Sequence, residues 1–188
     1  QMKRNADAKA GDVLILGKPL GVGILSAALK KNLLDEQGYN AMVAATTQLN
    51  RPGAELSKIE GVHALTDVTG FGLLGHSLEL ARGAALTARI DSSKLPVLPG
   101  VQALAEQGVL TGASGRNWAS YGEHIRLGHG VSDAQRGLLT DPQTSGGLLV
   151  SCAPEAAQQV LQVFAAGGFT GAAVIGKMEA GEPKVYID

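Results

Sequence analysis

The stretch LTDVTGFGLLGHSLELA, from Leu65 to Ala81, combines a carboxylate, two threonine hydroxyls and three glycines where a strand pattern changes to a helix pattern. Glycines let a backbone approach a ligand closely, and the first turn of a helix offers unpaired N–H groups to an anion. The carboxylate of Asp67 would repel a phosphate unless a cation lay between them, and Mg²⁺ takes one or two carboxylates together with phosphate oxygens. The segment predicts Asp67 as a Mg²⁺ ligand, beside a phosphate-binding turn shaped by Thr66, Thr69, Gly70 and Gly72.

The same glycines also allow a dinucleotide-binding interpretation. Gly70–Gly75 matches G-x-G-x-x-G, and a second strand pattern, Leu86–Asp91, ends in an acidic residue about 20 positions further on, as the ribose contact requires. The polar run at positions 66–69 weakens this interpretation, because such folds carry an apolar strand directly into the first glycine. The residues alone favour a metal–phosphate site and leave a dinucleotide site, or a module that binds no ligand, as alternatives.

A second segment, LTDPQTSGGLL at residues 139–149, repeats the Leu-Thr-Asp opening, the glycines and the Leu-Leu close of the first. Asp141 precedes a proline and is therefore expected to be extended rather than helical. Two explanations are equally open for this segment: its polar residues line the same cleft as Asp67, or they bond to their own backbone in a turn. The first predicts Asp141, Ser145 and Gly146 as cofactor-binding residues.

Two shorter stretches, KPLG at residues 18–21 and GRNW at residues 115–118, complete a recognisable pattern. Together the four segments resemble the carboxy-terminal domain shared by aminoimidazole ribonucleotide synthetase and its relatives, and most closely that of the selenophosphate synthetases. The resemblance extends from about Gly11 to Asp188. It implies an α+β sandwich, a mixed β-sheet with helices packed on it. It also implies an enzyme that uses ATP and selenide to make selenophosphate for selenocysteine and selenouridine synthesis, releasing AMP and phosphate. A purine-biosynthesis relative is the alternative within the superfamily.

The resemblance further implies that this chain is one half of such an enzyme. Family members carry an amino-terminal domain with the reactive Cys or selenocysteine, a neighbouring Lys and further Mg²⁺-binding aspartates, and no segment here matches it. We therefore expect residues 1–11 to be a linker remnant, residues 12–188 to be the domain, and the chain to contribute no catalytic residue. ATP and Mg²⁺ binding would need the other half. We expect the parent to be a homodimer and the isolated chain an inactive monomer.

Composition narrows the class of protein. The 188 residues are 45% hydrophobic and 18% charged, with a net charge of −1 and 4% aromatic residues, which disfavours nucleic acid and anionic membranes as partners. No apolar run approaches the roughly 20 residues of a membrane span. One cysteine cannot form an internal disulfide, so a cytoplasmic location is the simplest expectation.

Several other polar residues invite a functional reading, but each has a structural alternative. Cys152 lies in an apolar strand pattern and is expected in the core. The four histidines fit no zinc spacing, and His76 is expected to pack on its helix rather than face phosphate. Lys18 is expected to be solvated unless it touches phosphate. Asn117 could order over the substrate, and Trp118 is expected to anchor its loop.

Hydrophobic periodicity and breaker residues predict alternating strands and helices. Strands are expected at Asp12–Lys18, Val62–Asp67, Leu86–Asp91 and Gly147–Ala153, with a closing hairpin of Ala172–Met178 and Lys184–Ile187. Helices are expected at Gly21–Gln37, Tyr39–Leu49, Pro52–Ile59, Phe71–Ala84, Pro99–Gln107 and Pro154–Ala166, and a long polar loop at Gly112–Gly137.

Overall fold

The computed structural model of the protein describes residues 5–188. Its strands are β1 (Val13–Leu16), β2 (Val62–Asp67), β3 (Thr87–Ile90), β4 (Ile125–Leu127), β5 (Leu148–Cys152), β6 (Ala173–Glu179) and β7 (Val185–Ile187). Its helices are α1 (Val22–Lys30), α2 (Glu36–Thr47), α3 (Gly53–Leu56), α4 (Gly72–Ala84), α5 (Val101–Glu106), α6 (Gly112–Tyr121), α7 (Asp133–Leu139) and α8 (Ala157–Ala166).

The strands form one mixed sheet in the order β2-β5-β1-β6-β3-β7-β4. The pairs β2–β5, β5–β1, β1–β6 and β6–β3 are antiparallel, and β7 runs parallel to both β3 and β4. The predicted α+β class with a mixed sheet is confirmed. β2 forms one edge of the sheet, so the first polar segment leaves the sheet at its border.

Both faces of the sheet are covered by apolar side chains, because successive residues of a strand point to opposite faces. Leu14 and Leu16 of β1 belong to the larger core cluster, with Leu73 and Leu74 of α4. Ile15, between them, belongs to a second cluster, which contains residues of α3, β5 and α8. The sheet is therefore sandwiched between two helical layers, as expected.

The prediction of one helix over Gly21–Gln37 is wrong. Helix α1 ends at Lys30, the chain turns through a left-handed Asn32, and α2 begins at Glu36. The Asp35 carboxylate accepts the Gly38 N–H at 2.7 Å and so caps the start of α2. An Asp at the N-cap, the position just before a helix, satisfies an otherwise unpaired N–H. The cap lets α2 begin at Glu36, inside the segment that was expected to continue the first helix.

The prediction of a polar loop over Gly112–Gly137 is also wrong, since this stretch contains α6, β4 and α7. Thr111 accepts the Ser114 N–H at 3.1 Å at the start of α6. Ser132 and Gln135 form a reciprocal capping box at the start of α7. The Ser-x-x-Gln signal was present in the sequence. The glycines in residues 112–137 obscure the helical period of this stretch.

The predicted closing hairpin is wrong as well. β6 and β7 are not neighbours, because β3 lies between them, antiparallel to β6 and parallel to β7. The short segment between β6 and β7 in the sequence suggested that they pair directly. In the structure each of them pairs with β3 instead. The other predicted elements are present with boundaries that differ by a few residues, as helix ends commonly do.

The predicted linker at residues 1–11 lies partly outside the described residues, which begin at position 5. Residues Asn5–Asp7 form one turn of 3-10 helix, and Ala8 is buried in the larger core cluster. A Cβ added at Gly83 of α4 would lie 3.0 Å from the Ala6 Cα. The described part of this segment therefore packs against the domain.

Candidate functional site

The two Leu-Thr-Asp segments lie side by side where β2 ends and β5 begins. In the antiparallel pair, Thr66 lies opposite Leu149 and Asp67 lies opposite Leu148. The Val68 N–H extends the pairing by donating to the Gly147 carbonyl oxygen at 2.9 Å. The sequence echo between the segments therefore corresponds to spatial contact.

The backbone of Thr69 ties the two segments together beyond the strands. Its carbonyl oxygen accepts the N–H of Gly72 at 3.1 Å and the N–H of Gln143 at 3.0 Å. One donor comes from the first segment and the other from the second. The position of the turn between β2 and α4 is therefore set by both.

Two of the predicted ligand-binding glycines are required by this packing. A Cβ at Gly72, whose φ is +70°, would lie 2.7 Å from the Thr140 carbonyl carbon. A Cβ at Gly146 would lie 1.9 Å from the Val68 carbonyl oxygen. Only glycine permits such close backbone approach. Gly70 differs, because it is exposed and a Cβ there would meet nothing within 4 Å. Gly70 is therefore the glycine at which the turn leaves room for a ligand.

Helix α6 holds the two segments through three buried side chains at spacings of three and four residues, which place them on one helix face. Asn117 donates through Nδ2 to the Gly70 carbonyl oxygen at 2.9 Å and to the Thr140 carbonyl oxygen at 3.0 Å. The Tyr121 hydroxyl donates to the Phe71 carbonyl oxygen at 2.5 Å. The Ser114 hydroxyl lies 2.5 Å from that of Thr140.

This clamp was missed by the sequence analysis, which placed residues 114–121 in a loop. A helical period of polar residues was the available signal. Asn117 contacts the backbone beneath the turn rather than covering a substrate. Trp118 is half-buried and lies under the Arg136 guanidinium, 5.2 Å from the ring centroid, so it packs from α6 against α7 rather than anchoring a loop.

The Asp141 carboxylate is buried and caps helix α1 instead of facing Asp67. Its Oδ2 accepts the Ile24 N–H at 3.1 Å and the Gln143 side-chain amide at 3.1 Å. Gln143 in turn accepts the N–H groups of Gly21 and Val22 through Oε1. Burial raises the pKa of Asp141 to about 7, although the hydrogen bonds from the Ile24 N–H and the Gln143 amide favour the charged form. The second segment therefore closes the N-terminal end of α1 from more than a hundred residues away.

Lys18 is buried, and its ammonium makes three hydrogen bonds within the domain. The predictions that it is solvated or contacts phosphate are therefore both wrong. Its ammonium donates to the carbonyl oxygens of Ala45, Gln48 and Ser145 at 2.9, 2.6 and 2.6 Å. Two of these carbonyls lie at the end of α2, where a cation complements the helix dipole. Burial lowers the pKa of Lys18. The Ser145 backbone is left-handed, with φ 52°, and its side chain is exposed. Lys18 thus fastens the second segment to α2.

Asp67 is exposed at the end of the edge strand β2, and Thr66 beside it is half-buried. The Thr66 hydroxyl donates to the Asp67 carbonyl oxygen at 3.4 Å. Within residues 5–188, no cluster of three or more His, Cys, Asp or Glu side chains is arranged to hold a metal ion. Mg²⁺ commonly takes one or two protein carboxylates and completes its shell with waters and phosphates. The exposed Asp67 carboxylate has the chemistry to supply one such ligand.

His76 lies on α4 between two polar side chains. Its Nε2 is 3.2 Å from the Thr69 hydroxyl, and its Nδ1 is 3.0 Å from the Glu79 carboxylate. The imidazole is buried, whereas the Glu79 side chain is 45% exposed. His76 thus packs on its helix as expected, while also contacting the polar turn.

Comparison with known proteins assigns the chain to a family. Residues 9–188 match the model of the family described as AIR synthase related protein, C-terminal domain. The chain belongs to this family.

Individual relatives agree with the family assignment. The chain is 79% identical over 187 residues to a selenide, water dikinase of Pseudomonas straminea, covering 100% of this chain and 52% of the relative. It is 67% identical over 187 residues to a selenide, water dikinase of Paraburkholderia xenovorans, covering 100% of this chain and 53% of the relative. The chain therefore spans about half the length of the curated relatives that it matches.

A solved structure supports the fold. The hydrogenase maturation protein HypE of E. coli superposes with a TM-score of 0.74 over 99% of this chain and 49% of that chain, at 23% sequence identity. At this identity the likeness shows a shared AIR synthase-related fold and nothing about ligands.

The topology of this AIR synthase-related domain contradicts the dinucleotide interpretation of Gly70–Gly75. In a dinucleotide-binding unit the strand before the glycines is followed by a parallel neighbour that carries the acidic residue. Here β5, β1 and β6 lie between β2 and β3. Asp91 instead accepts the Ser93 N–H at 3.0 Å and pairs with Lys94. The acidic residue caps a turn on the other half of the sheet.

Cys152 and His63, the remaining candidate residues, have structural roles. Cys152 is fully buried, and burial raises the pKa of its thiol to about 12, so the predicted core role is confirmed. His63 lies 2.8 Å from the Asp12 carboxylate, which also accepts the Ser151 hydroxyl at 2.7 Å. Across the described part of the chain, no helix is both long and apolar enough to span a membrane.

Proposed function

We propose that this chain is the carboxy-terminal half of a selenide, water dikinase, an enzyme that forms selenophosphate from selenide and ATP and releases AMP and phosphate. The observation that carries the proposal is the 79% identity to a relative of that name over the whole chain. Both Leu-Thr-Asp segments and the α6 clamp lie within the matched residues. A purine-biosynthesis activity is less well supported, since the curated relatives reported above are selenide, water dikinases.

Within this enzyme, we assign Asp67 as a ligand of Mg²⁺. Bound Mg²⁺ would neutralise charge on the transferring phosphoryl groups, which is the main requirement of phosphoryl transfer. Exposure of Asp67 at the sheet edge, with the open Gly70 turn close behind it in sequence, supports the assignment. The clamp from α6 and the two N–H bonds to Thr69 hold the turn in place. The buried Asp141 supports the site from inside rather than binding the cofactor.

The remaining ligands and the reactive groups are assigned to the other half of the enzyme. Asp67 is a single carboxylate, and further anionic ligands are needed to bind Mg²⁺ with ATP. We therefore propose that the isolated chain is an inactive monomer, that the parent is a homodimer, and that it acts in the cytoplasm.

The test compares AMP formation from ATP and selenide by the full-length enzyme and its Asp67→Asn variant. Loss of a metal-ligating charge is expected to lower kcat by at least about 100-fold, because several kcal/mol of charge stabilisation disappear. The control is Asp133→Asn, at an aspartate whose side chain is 90% exposed on α7, and it should retain activity. The purified 188-residue chain should form no AMP.

Three results would contradict the proposal. Near-normal turnover by the Asp67→Asn enzyme would remove Asp67 from the metal site. Selenide-dependent AMP formation by the isolated chain would show that it is more than half of an active site. Turnover of formylglycinamidine ribonucleotide without selenide would instead identify a purine-biosynthesis enzyme.

A further inference from the structure

A chain of three polar side chains reaches from the surface of α4 to the turn that follows Asp67. Glu79 lies at the exposed end, His76 in the buried middle and Thr69 in the turn. His76 and Glu79 are three residues apart on α4 and therefore share a helix face. Among residues 5–188, His76 is the side-chain hydrogen-bond partner of the Thr69 hydroxyl.

The hydrogen-bond partners of His76 favour one tautomer of its neutral ring. An ionised carboxylate only accepts hydrogen bonds, so the His76 Nδ1 that faces Glu79 carries a proton. In the neutral imidazole, Nε2 is then bare and acts as an acceptor. In this tautomer the Thr69 hydroxyl donates to Nε2, and its oxygen lone pairs remain for other partners.

The backbone leaves this hydroxyl little freedom. The Thr69 carbonyl oxygen is held by N–H groups from both segments, and the adjacent Gly70 carbonyl oxygen accepts from Asn117. Because the main chain and one hydroxyl direction are fixed, the orientation of the oxygen is fixed as well. Thr69 lies two residues after Asp67 and immediately before the open Gly70.

We propose that His76 is a positioning residue which, backed by Glu79, orients the Thr69 oxygen as an acceptor beside Asp67. The oxygen would then accept a hydrogen bond from a metal-bound water or contact the cation directly. This inference rests on the proposed function and assigns two further residues to that site.

Tautomer measurement on the isolated 188-residue chain tests the geometry without any activity. Two-dimensional NMR that correlates imidazole nitrogens with ring protons distinguishes protonated from bare nitrogens. We expect His76 to be protonated at Nδ1 and bare at Nε2, with the Nε2 shift changed by Thr69→Val. Protonation at Nε2 in the neutral ring would overturn the inference, because Thr69 would then be the acceptor from His76.

A double-mutant cycle in the full-length enzyme tests the positioning role. Thr69→Val and His76→Phe are each expected to lower kcat about tenfold, the loss of one useful hydrogen bond. If His76 acts through Thr69, the double variant should also lose about tenfold rather than a hundredfold. Thr69→Ser, which keeps the hydroxyl, should retain most activity.

The matched control is Ser77→Ala, one residue along α4. Among the described residues, the buried Ser77 hydroxyl has no hydrogen-bond partner, so its removal should leave kcat unchanged. Multiplicative losses in the double variant, or wild-type activity of Thr69→Val, would refute the positioning role. A wild-type enzyme without selenide-dependent AMP formation would refute the proposed function instead, while the tautomer measurement would still judge the hydrogen-bond chain.

Discussion

Neutralising Asp141 by Asp141→Asn should change the pH dependence of stability in a defined direction. The carboxylate is fully buried, and burial raises its pKa from 3.8 to about 7 in the folded protein. Between about pH 4 and about pH 7, the folded protein therefore holds a proton that the unfolded chain has released. Stability from this group is present below about pH 4 and is lost as pH rises towards 7.

The size of the effect follows from the two pKa values. Each unit of difference corresponds to about 1.4 kcal/mol, so the shift from 3.8 to about 7 corresponds to about 4 kcal/mol. Asparagine has nearly the same shape as the protonated acid and can still accept the Ile24 N–H. The variant should therefore gain up to about 4 kcal/mol relative to the wild type between about pH 4 and about pH 8.

Urea unfolding of the 188-residue chain, followed by circular dichroism at constant ionic strength, measures this difference. The Asp133→Asn control changes an exposed carboxylate, and its difference from the wild type should stay within about 0.5 kcal/mol across the range. An Asp141→Asn difference that is flat with pH, or that falls as pH rises, would refute the argument from burial.

Three further outcomes are expected for the same chain. Lys18→Met should lower the free energy of unfolding by about 3 kcal/mol because three carbonyls lose a charged donor, whereas the exposed Lys58→Met should change it by less than about 0.5 kcal/mol; equal effects in urea unfolding would contradict this. Asn117→Ala should cost about 2 kcal/mol in the same assay, because two carbonyls beneath the turn lose their donor. The control is Gly115→Ala on the same helix, where a Cβ meets open space, and it should raise the free energy of unfolding by about 0.5 kcal/mol. An Asn117→Ala variant as stable as the wild type would refute the clamp. Asp67→Asn should change the unfolding free energy by less than about 1 kcal/mol, and a larger loss would show that Asp67 is structural.

Local sequence patterns determined much of the architecture. The apolar run before Asp67 and the periodic leucines after Gly72 predicted β2 and α4, which the structure contains. A buried strand and an amphipathic helix each leave a pattern within a few neighbouring residues. The buried Cys152 followed from such a pattern, whereas the mixed sheet was implied by the family resemblance.

Residues whose partners are distant in sequence could not be assigned in this way. Asp141 and Ile24 are 117 positions apart, and Lys18 and Ser145 are 127 positions apart. Each polar group bonds to backbone atoms, which every residue type carries, so no pairing pattern in the sequence identifies them. The segments that contain them were recognised, but their structural roles were not.

The order of the sheet was decided in the same way. Sequence patterns placed β3, β6 and β7 along the chain, but the insertion of β3 between the other two depends on contacts over about ninety residues. The three strands that lie between β2 and β3 excluded the dinucleotide site, which Gly70–Gly75 matched by spacing alone. The sequence therefore determined which polar side chains and glycines lie at the turn after β2. Only the tertiary structure decided which of them are exposed to a ligand and which are buried or hydrogen-bonded within the domain. Burial and hydrogen bonding depend on contacts across the whole fold.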